Sequence, residues 1–96
     1  MKSKLQIEKE DLTILKNILS KYPYHFYAYG SRTKGTARKF SDLDLCYYDN
    51  LSWEEVGELR EDLANSNLLL IVELVSWNKM RPAFQDNIKN DLLILS

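Results

Sequence analysis

The sequence predicts an α+β or α/β fold, one sheet layer packed with helices. Helical and strand patterns follow one another in the order helix, strand, strand, helix, strand, helix. No long linker, composition break or internal repeat interrupts them. At 96 residues the chain suits one hydrophobic core, and residues 1–96 are read as a single domain.

Each element has its own signal. Over residues 8–21, Leu12, Leu15 and Leu19 form one helical stripe with Ile14 and Ile18 beside it, and Pro23 ends the helix. Tyr24 to Tyr29 is aromatic-rich and stops at Gly30, the pattern of a first strand. Ser31 to Phe40 is polar and basic with Gly35 as a breaker, which predicts a loop with one short helical turn. A second strand runs from Asp42 to Tyr48, and Asp49-Asn50 turns the chain.

Ser52-Trp53-Glu54-Glu55 fits a capping box, so a second helix starts there with Val56, Leu59 and Leu63 inward, and Asn65-Ser66-Asn67 ends it. Leu68 to Val75 is apolar except for Glu73, which predicts a third, largely buried strand. Pro82 opens a short helix with Phe84 and Ile88 on one face, and Leu92 to Leu95 adds a last short strand.

Composition narrows the function. The longest apolar runs are far below the roughly 20 residues of a membrane helix, so no membrane span is expected. A lone cysteine, Cys46, has no internal disulfide partner, and the basic start Met1–Lys4 leads into no apolar run of signal-peptide length; the expected location is the cytoplasm. A net charge of −1 argues against a protein that lives on a nucleic-acid backbone. Charge is instead ordered locally: Arg32, Lys34, Arg38 and Lys39 directly precede Asp42 and Asp44. A bound metal-phosphate group would want that order.

The chemistry concentrates in the same segment. Residues two apart on a strand share a face, so Asp42 and Asp44 project together while Leu43 and Leu45 turn to the core. Neighbouring carboxylates repel unless solvent or a cation intervenes, and an oxygen donor set suits Mg2+ or Mn2+. Glu73 sits within an apolar strand; it either pairs with a basic side chain or joins Asp42 and Asp44 on one face. Gly30 allows backbone N–H groups to approach a phosphate, and the Ser31 hydroxyl adds a donor. Ten residues separate Gly30-Ser31 from Asp42-Leu43-Asp44, and this spacing gives the two short motifs their force.

The run from Tyr29-Gly30-Ser31-Arg32-Thr33-Lys34-Gly35 through Ser41-Asp42-Leu43-Asp44-Leu45 resembles the signature of the polymerase-beta-like nucleotidyltransferase superfamily, specifically its small MNT branch. The stretch from Ile71 to Trp77 resembles that family's third-carboxylate strand, and Phe84 to Ile88 its closing helix. Two departures stand out: the family usually carries aspartate where Glu73 stands, and alanine and arginine at the positions of Thr33 and Lys34.

The resemblance implies an α+β fold with a small mixed sheet of three to four strands. It implies transfer of a nucleoside monophosphate, AMP from ATP, to a hydroxyl. Asp42, Asp44 and Glu73 would be the catalytic and metal-binding carboxylates, with Gly30, Ser31, Arg32 and Lys34 holding the nucleotide phosphates. Members of this branch pair with HEPN-domain toxins, which implies an antitoxin that modifies a toxin tyrosine in a hetero-oligomer. A non-catalytic antitoxin, a small-molecule nucleotidyltransferase and an RNA-binding module on Arg32 to Lys39 are the alternatives. The remaining conspicuous residues take plainer readings: His25 and Cys46 in packing, Trp53, Trp77 and the tyrosines in core or interface, and the acids from Glu54 to Asp62 on a solvated helix face.

Overall fold

A computed structural model describes residues 5–38 and 41–95; Met1–Lys4, Lys39, Phe40 and Ser96 of the segments discussed above lie outside the described residues. The elements in chain order are α1 (Lys9–Leu19), β1 (Tyr27–Tyr29), α2 (Ser31–Lys34), β2 (Leu43–Tyr47), α3 (Trp53–Ala64), β3 (Val72–Ser76), a 3-10 turn (Trp77–Lys79), α4 (Pro82–Ile88) and β4 (Leu93–Ile94). The four strands form a mixed sheet in the order β3-β2-β1-β4. β1 runs antiparallel to β2 and β4, and β2 runs parallel to β3 with α3 as the crossover.

Strand alternation sorts the side chains into two layers. Ala28, Leu45, Leu74 and Leu93 stand opposite one another across the sheet. They face α1 and α3, where Leu15, Ile18, Leu19, Leu59 and Leu63 complete the main core around Phe26. Burying such a side chain contributes about 1.5–3 kcal/mol each. Tyr27, Tyr29, Cys46 and Val75 occupy the other face and pack with Met80, Trp77 and Ile88, which the 3-10 turn and α4 bring across.

α3 starts as its sequence predicts: Ser52 Oγ accepts from Glu55 N at 3.1 Å and Glu55 Oε1 accepts from Ser52 N at 2.9 Å. α4 takes Pro82 at its first turn, where the missing N–H costs nothing.

Two strands differ from their sequence patterns. β1 begins at Tyr27 rather than Tyr24 because the preceding tyrosines serve α3: Tyr22 Oη donates to Asp62 Oδ2 and Tyr24 Oη to Glu55 Oε2. The third strand is not largely buried. It begins only at Val72 and lies at the sheet edge, with α3 over one face, so Leu69 and Ile71 just before it are exposed and Glu73 reaches solvent.

Candidate active site

The site forms where β1 ends and β2 and β3 begin. The register places Tyr29 opposite Asp44 and Asp44 opposite Glu73. Directly paired residues on adjacent strands share a face, so these three side chains stand in a row on the face opposite the main core. Asp42, two residues before Asp44, precedes the first residue of β2 and is exposed. Of the two readings left open for Glu73, the register selects the shared face.

Gly30 makes the row possible. It has φ +89°, a conformation that side chains rarely adopt, and a Cβ built there would lie 2.6 Å from Asp44 Oδ2. The Asp44 carboxylate therefore rests against the Gly30 backbone, at the turn that leads into α2. Thr33 closes that turn: its Oγ1 and its N–H both donate to the Gly30 carbonyl oxygen, at 2.7 and 3.0 Å. Ser31, the first residue of α2, sits half-buried beside it.

The carboxylates feel one another. Burial raises the pKa of Asp44 above the ordinary aspartate value, and the charges of Asp42 and Glu73 add to the shift. Tyr29 is pushed up to about 12 by burial, with Asp44, Cys46 and Glu73 adding to it. Its phenol stays neutral under ordinary conditions, and its ring meets Phe84 of α4 edge-on at 5.9 Å between centroids. Burial pushes the Cys46 thiol up to about 11, so it stands as a protonated, buried small side chain on this face.

Among the described residues, no trio of carboxylate, imidazole or thiol side chains stands close enough to form a ready-made metal site. Asp44, in register with Glu73 and within reach of the charge of Asp42, nevertheless offers hard oxygen donors only, a chemistry that suits a divalent cation completed by substrate phosphates.

The basic residues are placed differently from one another. Arg32 is buried, and its guanidinium turns to backbone carbonyls: Nε and Nη2 donate to Ser41 O at 3.1 and 2.8 Å, and Nη1 to Gln6 O at 2.7 Å. It holds the residue immediately before Asp42, a positioning task where a phosphate contact had been expected. Lys34 remains exposed and pairs with Asp91 at 3.6 Å. Gln6 completes the brace, donating from Nε2 to Ala37 O and accepting from Ala37 N. Nothing in the spacing of Gln6 signals this role. Tyr29 could have been found from its place next to Gly30, but only the strand register sets it beside Asp44, in line with Glu73 one strand further on.

The chain matches the family described as Polymerase beta, Nucleotidyltransferase over residues 13–96. It is 33% identical over 97 residues to the probable protein adenylyltransferase MntA of Haemophilus influenzae, covering 97% of this chain and 85% of that protein. Its fold is similar to that of a chain in a crystal structure of a toxin-antitoxin with AMP-PNP, with a TM-score of 0.68 and 24% identity over 88% of this chain and 72% of that one. Fold and sequence thus define a nucleotidyltransferase. The chain belongs to the polymerase beta nucleotidyltransferase family, in its small MNT-type branch.

Proposed function

We propose that residues 1–96 form a single-domain cytoplasmic antitoxin that transfers AMP from ATP to a tyrosine hydroxyl of a HEPN-domain toxin. The reaction depends on Mg2+, or Mn2+, held by Asp42, Asp44 and Glu73. The observation that carries the reading is the cross-strand row: Asp44 registers with Glu73 on one side and rests against the Gly30 turn on the other. A phosphate-holding turn and two carboxylates then meet at one point. The name of the Haemophilus influenzae relative, a probable protein adenylyltransferase, supports a protein acceptor and adenylyl transfer. The toxin-antitoxin with AMP-PNP shares the architecture, which agrees with an adenine nucleotide and a toxin partner.

The divalent ion supplies neutralisation of the triphosphate and of the charge that grows on the leaving oxygen. The protein's own groups do the positioning. Ser31 Oγ and the backbone N–H groups of the Gly30-Ser31 turn donate to the outgoing phosphates, and Lys34 adds positive charge when it leaves Asp91. Asp42 and Asp44 would hold the ion on the β2 side, where it would draw in the triphosphate, while Arg32 holds Ser41 and so the approach of Asp42. Glu73, exposed on the outer strand, takes the proton of the incoming hydroxyl. The acceptor oxygen bonds to the α-phosphorus as the bond from that phosphorus to its β-bridging oxygen breaks, and pyrophosphate departs.

The test mixes the chain with Mg2+, ATP labelled at the α-phosphate and the HEPN-domain protein encoded beside it. The expected result is label on that protein, lost with Asp42→Ala or Asp44→Asn. A stable complex that acquires no label would overturn transfer and leave neutralisation by binding.

A further inference from the structure

The sheet is open on one side. β3 is its outermost strand, and the described residues place no strand beyond it. Leu43 N donates to Ile71 O at 2.8 Å while Leu43 stands opposite Val72. In a parallel ladder, that arrangement turns the backbone groups of Ile71, Glu73 and Val75 toward β2 and those of Val72, Leu74 and Ser76 outward. One outward acceptor is engaged from the side: Arg60 Nη2 donates to Leu74 O at 3.2 Å. An arginine of α3 thus sits where a further strand would pair.

The side chains around this edge leave an open groove. A groove of about 770 Å³ runs between α3 and the edge, lined by Arg60, Leu63, Ala64 and the segment from Leu68 to Leu74. At its lip Leu69 is 83% exposed and Ile71 65%. Along α3, Trp53, Gly57, Arg60 and Ala64 recur at intervals of four, three and four, which puts them on one stripe, and all are exposed. Exposed apolar groups beside unpaired strand amides mark a place for strand addition, in which main-chain bonds supply affinity and side-chain pockets supply selectivity.

Continuity with the active site identifies the occupant. On the β1 side, Tyr29 and Phe84 wall off the catalytic face, whereas Glu73 stands on the open strand. Strands pair about 4.8 Å apart, so a strand added outside β3 sets one of its own side chains on the catalytic face immediately beside Glu73. We infer that the β3 edge binds the acceptor as an extended polypeptide segment, which adds a fifth strand and presents its hydroxyl residue to Glu73, with Arg60 as a latch that yields Leu74 O. This rests on the transfer reading above and specifies how its protein acceptor is held. The chemistry is that already written: the hydroxyl oxygen bonds to the α-phosphorus, pyrophosphate leaves and the proton passes to Glu73.

The probe is a ten-residue peptide of alternating valine and threonine around one tyrosine, beside a copy N-methylated at the amides of its pairing edge. Binding is followed by amide shifts of the 15N-labelled protein, and transfer by label from α-labelled ATP with Mg2+. The expected result is saturable shifts centred on the amides of Val72, Leu74 and Ser76. Labelling of the tyrosine should fall at least tenfold in kcat/KM for the methylated copy. Leu69→Lys with Ile71→Lys should raise peptide KM several-fold and leave the affinity for ATP unchanged. Shifts at the outer amides without label would refute transfer and keep the docking edge. Label that is indifferent to N-methylation, shifts centred elsewhere, or no shifts at millimolar peptide would overturn the edge as the acceptor site.

Discussion

Gly30 shows how much one residue can hold. Its backbone lies where only glycine is at ease, and its missing Cβ is the space occupied by the Asp44 carboxylate. Gly30→Ala meets two penalties at once. The positive φ costs about 1–3 kcal/mol, and the methyl group pushes the carboxylate out of the row with Glu73. Urea unfolding should show that loss, and titration with ATP and Mg2+ should show weakened binding. The motif spacing made Gly30 and Asp44 legible in the sequence, but not the contact between them, which depends on β1 and β2 pairing antiparallel. Cys46 was legible as a buried hydrophobe, and its face follows from its distance of two residues from Asp44. With its thiol pushed up to about 11 by burial, only on the order of a thousandth is thiolate at pH 8. Ellman's reagent should therefore react slowly with the native protein, and the rate should rise through the urea unfolding transition.

At the scale of the element, the clearest signals were those closed within a few residues. The capping box of α3 involves residues three apart, so local chemistry settles it before any tertiary contact forms. Ser52→Ala should cost about 1 kcal/mol of stability. Glu55 gives this helix start a pH dependence. The backbone N–H of Ser52 and the phenol of Tyr24 lower its pKa below the ordinary 4.5. A carboxylate depressed in the folded state binds fewer protons there than in the unfolded chain. Its contribution is complete above 4.5 and disappears as pH falls through the lower folded value. Unfolding measured from pH 7 to pH 3 should show Glu55→Gln less stable than the parent at neutral pH, with the gap narrowing in acid. The third strand was less legible. Its apolar run reads as buried whether the strand is central or at the edge, since the order β3-β2-β1-β4 is a long-range outcome. Tyr24 misled for a similar reason: an aromatic residue suits a strand, but here its hydroxyl reaches Glu55 of α3.

Across the whole molecule, the sheet assembles the site from segments distant in sequence and tolerates a local instability in doing so. The Gly-Ser turn, the paired aspartates and Glu73 come from three strands, and the order in which those strands pair sets residues of a linear motif side by side on one face. The sequence resemblance supplied the family's expected arrangement and singled out Arg32, but the bracing role of Arg32 and Gln6 gave no signal, because hydrogen bonds to backbone carbonyls leave no pattern in side-chain type. The assembled carboxylates oppose the fold. Asp44 is half-buried with Asp42 and Glu73 near, and its raised pKa means the folded state holds its proton more tightly than the unfolded chain does. Stability therefore falls as pH rises through its titration, and the ionised group is a net cost at neutral pH. Asp44→Asn removes that charge while keeping nearly the same shape against Gly30. In EDTA the variant should melt at a higher temperature than the parent. On the proposed reading, addition of ATP with Mg2+ should reverse the order, because the parent would gain stability by binding and the variant would lack a proposed ligand for the ion. A variant that melts lower than the parent in EDTA would show that Asp44 stabilises the empty fold, contrary to a site arranged for a cation.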